Sequence, residues 1–173
     1  MKLNLGSGSN YLEGYVNVDP QYGKKAEVKK DACAYLVGLN ENTVDEILCE
    51  HLLEHLTPDK AEGMIGHCYR VLKPGGVIFA ECPDLDSIAH AYTREQYLDI
   101  TDAPISFNDF LKGIFGAPGG VSVGQGHVWG YSRKTLNALL KRAGFETIYI
   151  PDRKEYRWDP DLSVRIKGIK CST

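Results

Sequence analysis

Leu3-Asn4-Leu5-Gly6-Ser7-Gly8-Ser9-Asn10 is an apolar, β-favouring stretch that runs directly into two glycines spaced by one residue. Without a Cβ, Gly6 and Gly8 let the backbone approach a ligand without side-chain interference. Open α/β sheets place their ligands at such turns, at the carboxyl end of a strand. A dinucleotide fingerprint needs a third glycine where this chain has Tyr11, and that disfavours NAD and FAD. A second strand-like run, Gly14-Tyr15-Val16-Asn17-Val18-Asp19, ends in a carboxylate. An acid at that place can accept both hydroxyls of a ribose. Asp19 also precedes Pro20, so a turn-capping role competes with ribose binding.

A second cluster is His51-Leu52-Leu53-Glu54-His55. On a helix, an H-x-x-E-H string puts two imidazoles on one face beside a glutamate, the signature of the inverted zinc peptidases. Here the string follows the Val44–Cys49 strand immediately and meets Thr57-Pro58 after two residues. That leaves barely one helical turn, and no downstream glutamate stands out as a third ligand. The third cluster, Gly126-His127-Val128-Trp129-Gly130-Tyr131, closes a glycine-rich stretch. His127 is its candidate for acceptor contact or base duty, with Trp129 and Tyr131 either flanking an acceptor or packing. His67 and His90 fall on helical segments and read as solvent or packing residues, and His55 as a structural residue near a helix start.

These residues need a scaffold. Strand-like runs at Lys2–Leu5, Tyr15–Val18, Ala26–Lys30, Val44–Cys49, Gly76–Glu81, Phe145–Ile150 and Leu162–Lys170 alternate with helical patterns, which predicts a parallel α/β sheet. One helix opens at Thr57-Pro58 and carries Ala61, Met64, Ile65, Cys68 and Leu72 on one face, with Lys73-Pro74-Gly75-Gly76 turning the chain into the next strand. Another is capped by Ser132, carries Leu136, Leu139, Leu140 and Ala143 inward, and stops at Gly144. In the last strand Leu162, Val164 and Ile166 alternate with Arg165 and Lys167, the pattern of an antiparallel strand wet on one side. Residues 84–130 are expected to form a substrate-side insertion or lid, with helices near Leu85–Leu98 and Ile105–Lys112. Only Gly6 to Gly14 joins the first two strands, although parallel neighbours usually need a dozen or more residues. That segment spans roughly 30 Å when extended, so the helix expected after the glycine turn is reduced to a turn or absent.

The 173 residues suit one domain, residues 1–173, and 43% hydrophobic residues suit a packed core. A formal net charge of -3 with scattered charges argues against nucleic acid and against a polybasic membrane anchor. The apolar runs are too short for a membrane span, and the first residues lack a signal-peptide core. Five cysteines without a CxxC pair fit a reduced, cytoplasmic protein.

Taken in order, Leu3–Gly8, Gly14–Asp19, Asp31-Ala32, Val44–Leu56 (VDEILCEHLLEHL), Tyr69–Gly76 (YRVLKPGG), Cys82–Leu85 and Tyr131–Phe145 (YSRKTLNALLKRAGF) resemble the class I S-adenosylmethionine-dependent methyltransferases. The similarity is to their small bacterial branch, of methyltransferase type 11, and covers nearly the whole chain. It implies a Rossmann-like single-domain sheet of seven strands, mostly parallel with the last antiparallel. It also implies S-adenosylmethionine as cofactor and S-adenosylhomocysteine as product. Carried onto this sequence, Gly6, Ser7 and Gly8 face the methionine and ribose, and Asp19 holds the ribose diol. Asp31 accepts from the adenine amino group and Ala32 offers its N–H to the ring. Glu50 and His51 lie beside the methionine end and the transferable methyl. Asn4 stands where the superfamily often has an acid, and Asn10 where its loop has a third glycine.

The resemblance implies methyl transfer to a small-molecule acceptor, with sugar or cell-envelope chemistry as its pointer and no metal required. Where the acceptor is a hydroxyl or protonated amine, His127 or His51 is the expected base, oriented by Glu54 or Glu50. A non-catalytic cofactor-binding module acting through a partner is the alternative, a zinc hydrolase using HLLEH the remote one. Homodimerisation is left open.

Overall fold

The computed structural model describes residues 1–20, 25–90, 111, 114–116, 126–150 and 162–172. Six strands form one sheet: β1 (Lys2–Leu5), β2 (Val16–Val18), β3 (Val44–Glu50), β4 (Leu72–Pro83), β5 (Glu146–Tyr149) and β6 (Ser163–Ile169). Their order is β2-β1-β3-β4-β6-β5. The pairs β1/β2, β1/β3 and β3/β4 are parallel, whereas β6 runs antiparallel to both β4 and β5. The carboxyl ends of β1, β2 and β3 therefore share one edge.

The seventh expected strand, Ala26–Lys30, is reduced to a single parallel bridge between Val18 and Val28. Only Ala26 and Val28 turn inward there, and Glu27, Lys29 and Lys30 remain exposed or half-exposed. Two apolar side chains are too few to hold a continuous ladder against solvent.

No helix follows the glycine turn. Residues 6–15 are turns and irregular backbone, and a buried pair of asparagines takes over the packing role. Asn4 Nδ2 donates to Asn17 Oδ1 at 2.8 Å and to the Asn10 carbonyl at 2.8 Å. Asn17 Oδ1 also accepts from the Leu12 N–H at 3.0 Å, and its Nδ2 donates to the Leu12 carbonyl at 3.0 Å. The short connection is thus tied down by side-chain amides, which supply the donors and acceptors that a helix would otherwise satisfy internally.

Helix α1 (Ala32–Val37) was not legible as a helix because it is only six residues long. Helix α2 (Pro58–Val71) has Pro58 in its first turn and buries Ala61, Met64, Ile65 and Cys68 as expected. Thr57 stands at its N-cap position without a side-chain capping bond. Lys73–Gly76 is not a separate turn: it is an irregularity inside β4, whose pairing with β3 jumps between Val44 and Glu46. Gly75 adopts φ +77° there, and a Cβ on Gly76 would sit 2.8 Å from the Lys73 carbonyl oxygen. Helix α3 (Arg133–Arg142) is capped by Ser132 in reciprocal bonds with Thr135, and it buries Leu136, Leu139 and Leu140. Gly144 follows at φ +102°, as a left-handed stop requires.

Of the helix expected over 85–98, residues 85–90 are helical and the rest lies outside the described residues. Of that expected over 105–112, only Leu111 is described, and it is helical. Four cysteines, Cys33, Cys49, Cys68 and Cys82, lie in helices or strands and all are free thiols. Burial pushes the Cys49, Cys68 and Cys82 thiols well up, so they behave as small apolar groups. Among the described residues no helix is long and apolar enough to cross a membrane.

Candidate functional site

The glycine turn closes on the end of β2. Gly6 and Gly8 have φ of +66° and +53°, in the left-handed region that glycine enters without penalty. The Gly6 and Ser7 N–H groups donate to the Val18 carbonyl at 2.8 and 3.1 Å. The Gly8 N–H donates to Asp19 Oδ2 at 2.8 Å, and Asp19 is only 6% exposed. The carboxylate at the end of β2 and the turn at the end of β1 are thereby joined into one structure. A Cβ on Gly6 would meet the Leu52 side chain at 2.9 Å, whereas one on Gly8 would touch nothing closer than 3.9 Å. Gly6 is required by the protein's own packing. Gly8 instead leaves an open backbone face, as a ligand-binding turn would.

Asp31 and Ala32 lie at the start of α1. The Asp31 carboxylate caps the helix, accepting from the Ala34 N–H at 3.0 Å, and Ala32 is buried. Glu50 ends β3 half-buried, next to His51.

His51 is the conformational pivot of this edge. Its φ is +51°, uncommon for a residue with a Cβ, and it turns the chain out of β3. The turn is held by its N–H, which donates to the Glu81 carbonyl at 2.9 Å. Its ring is flanked by two carboxylates: Nδ1 is 3.1 Å from Glu54 Oε1 and Nε2 is 3.4 Å from Glu81 Oε1. Burial alone would lower the pKa of this ring. The hydrogen bonds and charges of Glu54 and Glu81 outweigh it and push the pKa up to about 10. The two carboxylates thus favour the protonated, imidazolium form of the His51 ring.

Glu81 and Arg165 complete this network, although neither stood out in the sequence as a site residue. Arg165 makes a two-pronged ion pair with Glu81: Nε donates to Oε2, and a terminal nitrogen donates to Oε1 at 2.8 Å. Arg165 is buried rather than outward-facing, because this pairing draws it across the β4/β6 ladder, where the two residues are register partners. Burial raises the Glu81 pKa, but His51 and Arg165 together bring it below the ordinary value.

The zinc-peptidase arrangement does not form. Only Leu53–His55 is helical, as a single 3₁₀ turn (η1), and His51 lies outside it with its ring committed to carboxylates. His55 Nδ1 instead lies 3.1 Å from the Gly126 carbonyl. The segment carrying His127 docks on η1: the Val128 and Trp129 N–H groups donate to the Glu54 carbonyl at 2.7 and 3.1 Å. His127 and His55 then meet edge-on with ring centroids 5.2 Å apart. Tyr131 is buried in the core, whereas Trp129 is 50% exposed beside His127. Of the two aromatics, only Trp129 is open to solvent. His67 is half-buried in α2 and His90 is exposed.

The sequence matches the family described as "Methyltransferase domain" over residues 8–150. It matches no curated protein. The fold is similar to that of a SAM-dependent methyltransferase from Archaeoglobus fulgidus, with a TM-score of 0.63 at 19% identity over 98% of this chain and 85% of that one. A SAM-dependent methyltransferase from Methanosarcina mazei aligns with a TM-score of 0.66 at 20% identity, over 98% of this chain and 92% of that one. The 1,6-didemethyltoxoflavin-N1-methyltransferase of Burkholderia thailandensis, solved with S-adenosylhomocysteine bound, aligns with a TM-score of 0.57 at 15% identity, over 99% of this chain and 71% of that one. At these identities the likeness is one of fold. With the family match spanning more than half of the sequence, the chain belongs to the methyltransferase-domain family.

Proposed function

We propose that this enzyme uses S-adenosylmethionine to methylate a small-molecule acceptor. The observation that carries the reading is the bond from the Gly8 N–H to the buried Asp19 carboxylate, which sets a ribose-binding acid against an open glycine turn. S-adenosylmethionine supplies a methyl group on a sulfonium, a good leaving group for in-line displacement. The backbone of Gly6, Ser7 and Gly8 lies along the methionine and ribose, and Asp19 accepts from the ribose hydroxyls. Asp31, while capping α1 through one oxygen, accepts from the adenine amino group, and the Ala32 N–H faces the ring. Glu50 and His51 border the methionine end. As an imidazolium, His51 positions groups and does not take a proton.

On this reading the acceptor side is built by the segment docked on Glu54. His127 and the half-exposed Trp129 offer an imidazole beside an aromatic face, a combination that suits a compact hydroxylated acceptor such as a sugar. Holding acceptor and methyl in line supplies about 7–11 kcal/mol of the barrier through orientation. Calorimetric titration with S-adenosylmethionine and S-adenosylhomocysteine tests the cofactor reading. The expected result is micromolar binding that Asp19→Ala weakens by tenfold or more. A folded protein that binds neither compound overturns it. With an acceptor in hand, His127→Ala is expected to lower turnover about 10²-fold or more while cofactor affinity stays within twofold.

A further inference from the structure

Glu54, His55 and His127 converge where η1 meets the docked 126–131 segment, with one ligand atom from each lying within 4.8 Å of the others. Two further observations point to a ligand there. Glu54 is 1% exposed; its Oε1 is engaged by His51, but its Oε2 has no hydrogen-bond partner among the described residues. An oxygen left buried and unmet forfeits its hydration without a replacement bond. The second observation is the tautomer of His55. The Gly126 carbonyl can only accept, so Nδ1 carries the hydrogen of that bond and Nε2 is the ring nitrogen left to face a ligand. Metal-binding histidines are oriented in this way, by a backbone carbonyl on the other ring nitrogen.

We propose that Glu54 through Oε2, His55 through Nε2, and His127 hold a divalent first-row transition ion, with zinc the best match. Two imidazoles and one carboxylate suit zinc and its neighbours better than magnesium or calcium, which prefer all-oxygen sites. Ligands on a tetrahedral ion lie roughly 3.4 Å apart, so the three side chains close on an ion by drawing together from a spacing of up to 4.8 Å. Three protein ligands leave a position for water or for an acceptor oxygen, and an ion there acidifies a bound hydroxyl. That placement beside the acceptor rests on the methyltransferase reading above, whereas ion binding itself does not. The triad differs from the peptidase pattern, since His127 replaces His51 as the second imidazole.

The test uses the full chain stripped with a chelator. Zn²⁺ is titrated by calorimetry and Co²⁺ by visible absorption, in wild type, His55→Ala, His127→Ala, Glu54→Gln and the control His67→Ala. The expected result is one ion per chain, with intense Co²⁺ bands of low coordination number. Affinity should fall tenfold or more in His55→Ala and His127→Ala and stay within twofold in His67→Ala. Circular dichroism shows whether Glu54→Gln is folded; if it is not, the two histidine variants decide. A folded chain that binds no stoichiometric ion overturns the proposal, as does binding that both histidine variants retain. S-adenosylhomocysteine is titrated into the same samples: its failure to bind strikes the cofactor reading alone, and its binding without any ion strikes the metal proposal alone.

Discussion

His51 has its ring clasped between two carboxylates, those of Glu54 and Glu81. Its ring holds a proton to about pH 10 in the folded chain, while an unfolded chain releases it near 6.5. Between those values unfolding releases a proton, so the stabilisation it gives is complete below about pH 6.5 and fades as pH rises through about 10. The denaturant midpoint of the wild type should fall across that window. His51→Asn keeps a residue tolerant of positive φ but removes the charge, so its midpoint should be lower at pH 6.5 and should vary less up to pH 10. An unchanged wild-type midpoint over that range would show that the ring is not held charged.

At the scale of elements, glycine positions separate packing from propensity. Gly6 combines positive φ with a Cβ direction blocked by Leu52. Gly6→Ala should therefore destabilise by roughly 2–4 kcal/mol, from the left-handed backbone and the displaced leucine. Gly63 lies in the middle of α2, exposed, with nothing within 4 Å of an added Cβ. Gly63→Ala should stabilise by about 0.5–1 kcal/mol through helix propensity alone. Thermal melts of the two variants move in opposite directions if this account holds. Two melts that both rise would mean that the Gly6 turn is not packed against Leu52, and two that both fall would mean that helix propensity does not govern Gly63.

For the whole molecule, the carboxyl edge is fastened by charges drawn from separate parts of the chain. Glu81 on β4 binds Arg165 on β6 and faces His51 at the end of β3, which in turn meets Glu54 on η1. Arg165→Met leaves Glu81 buried with only one cation, and breaking such a pair costs roughly 3–5 kcal/mol. Urea denaturation should show a loss of that order. A loss under 1 kcal/mol would mean that the pair behaves as an exposed one. The network also explains why β6, though antiparallel and near the end of the chain, belongs to the site: it carries the cation that lets Glu81 stay buried beside His51.

Much of this architecture was legible in local chemistry. Apolar runs alternating with helical periods announced the parallel sheet, because each period can bury only one face. Thr57-Pro58, Ser132 and Gly144 marked helix ends, because backbone groups there need special partners or special φ. The glycine turn and Asp19 were legible for the same reason: only glycine leaves a backbone face open, and strand-end carboxylates sit where ligands lie. Tertiary structure alone decided which charges meet. The burial of Arg165 depends on its register opposite Glu81, 84 positions away in sequence, and no local pattern records that pairing. The protonation of His51 follows from two carboxylates on different elements. Likewise, the grouping of Glu54 and His55 with His127 required a distant segment to dock on a 3₁₀ turn. Local sequence specifies what each element is; electrostatics and metal affinity depend on distances of a few ångströms between elements, and those are set only when the whole chain packs.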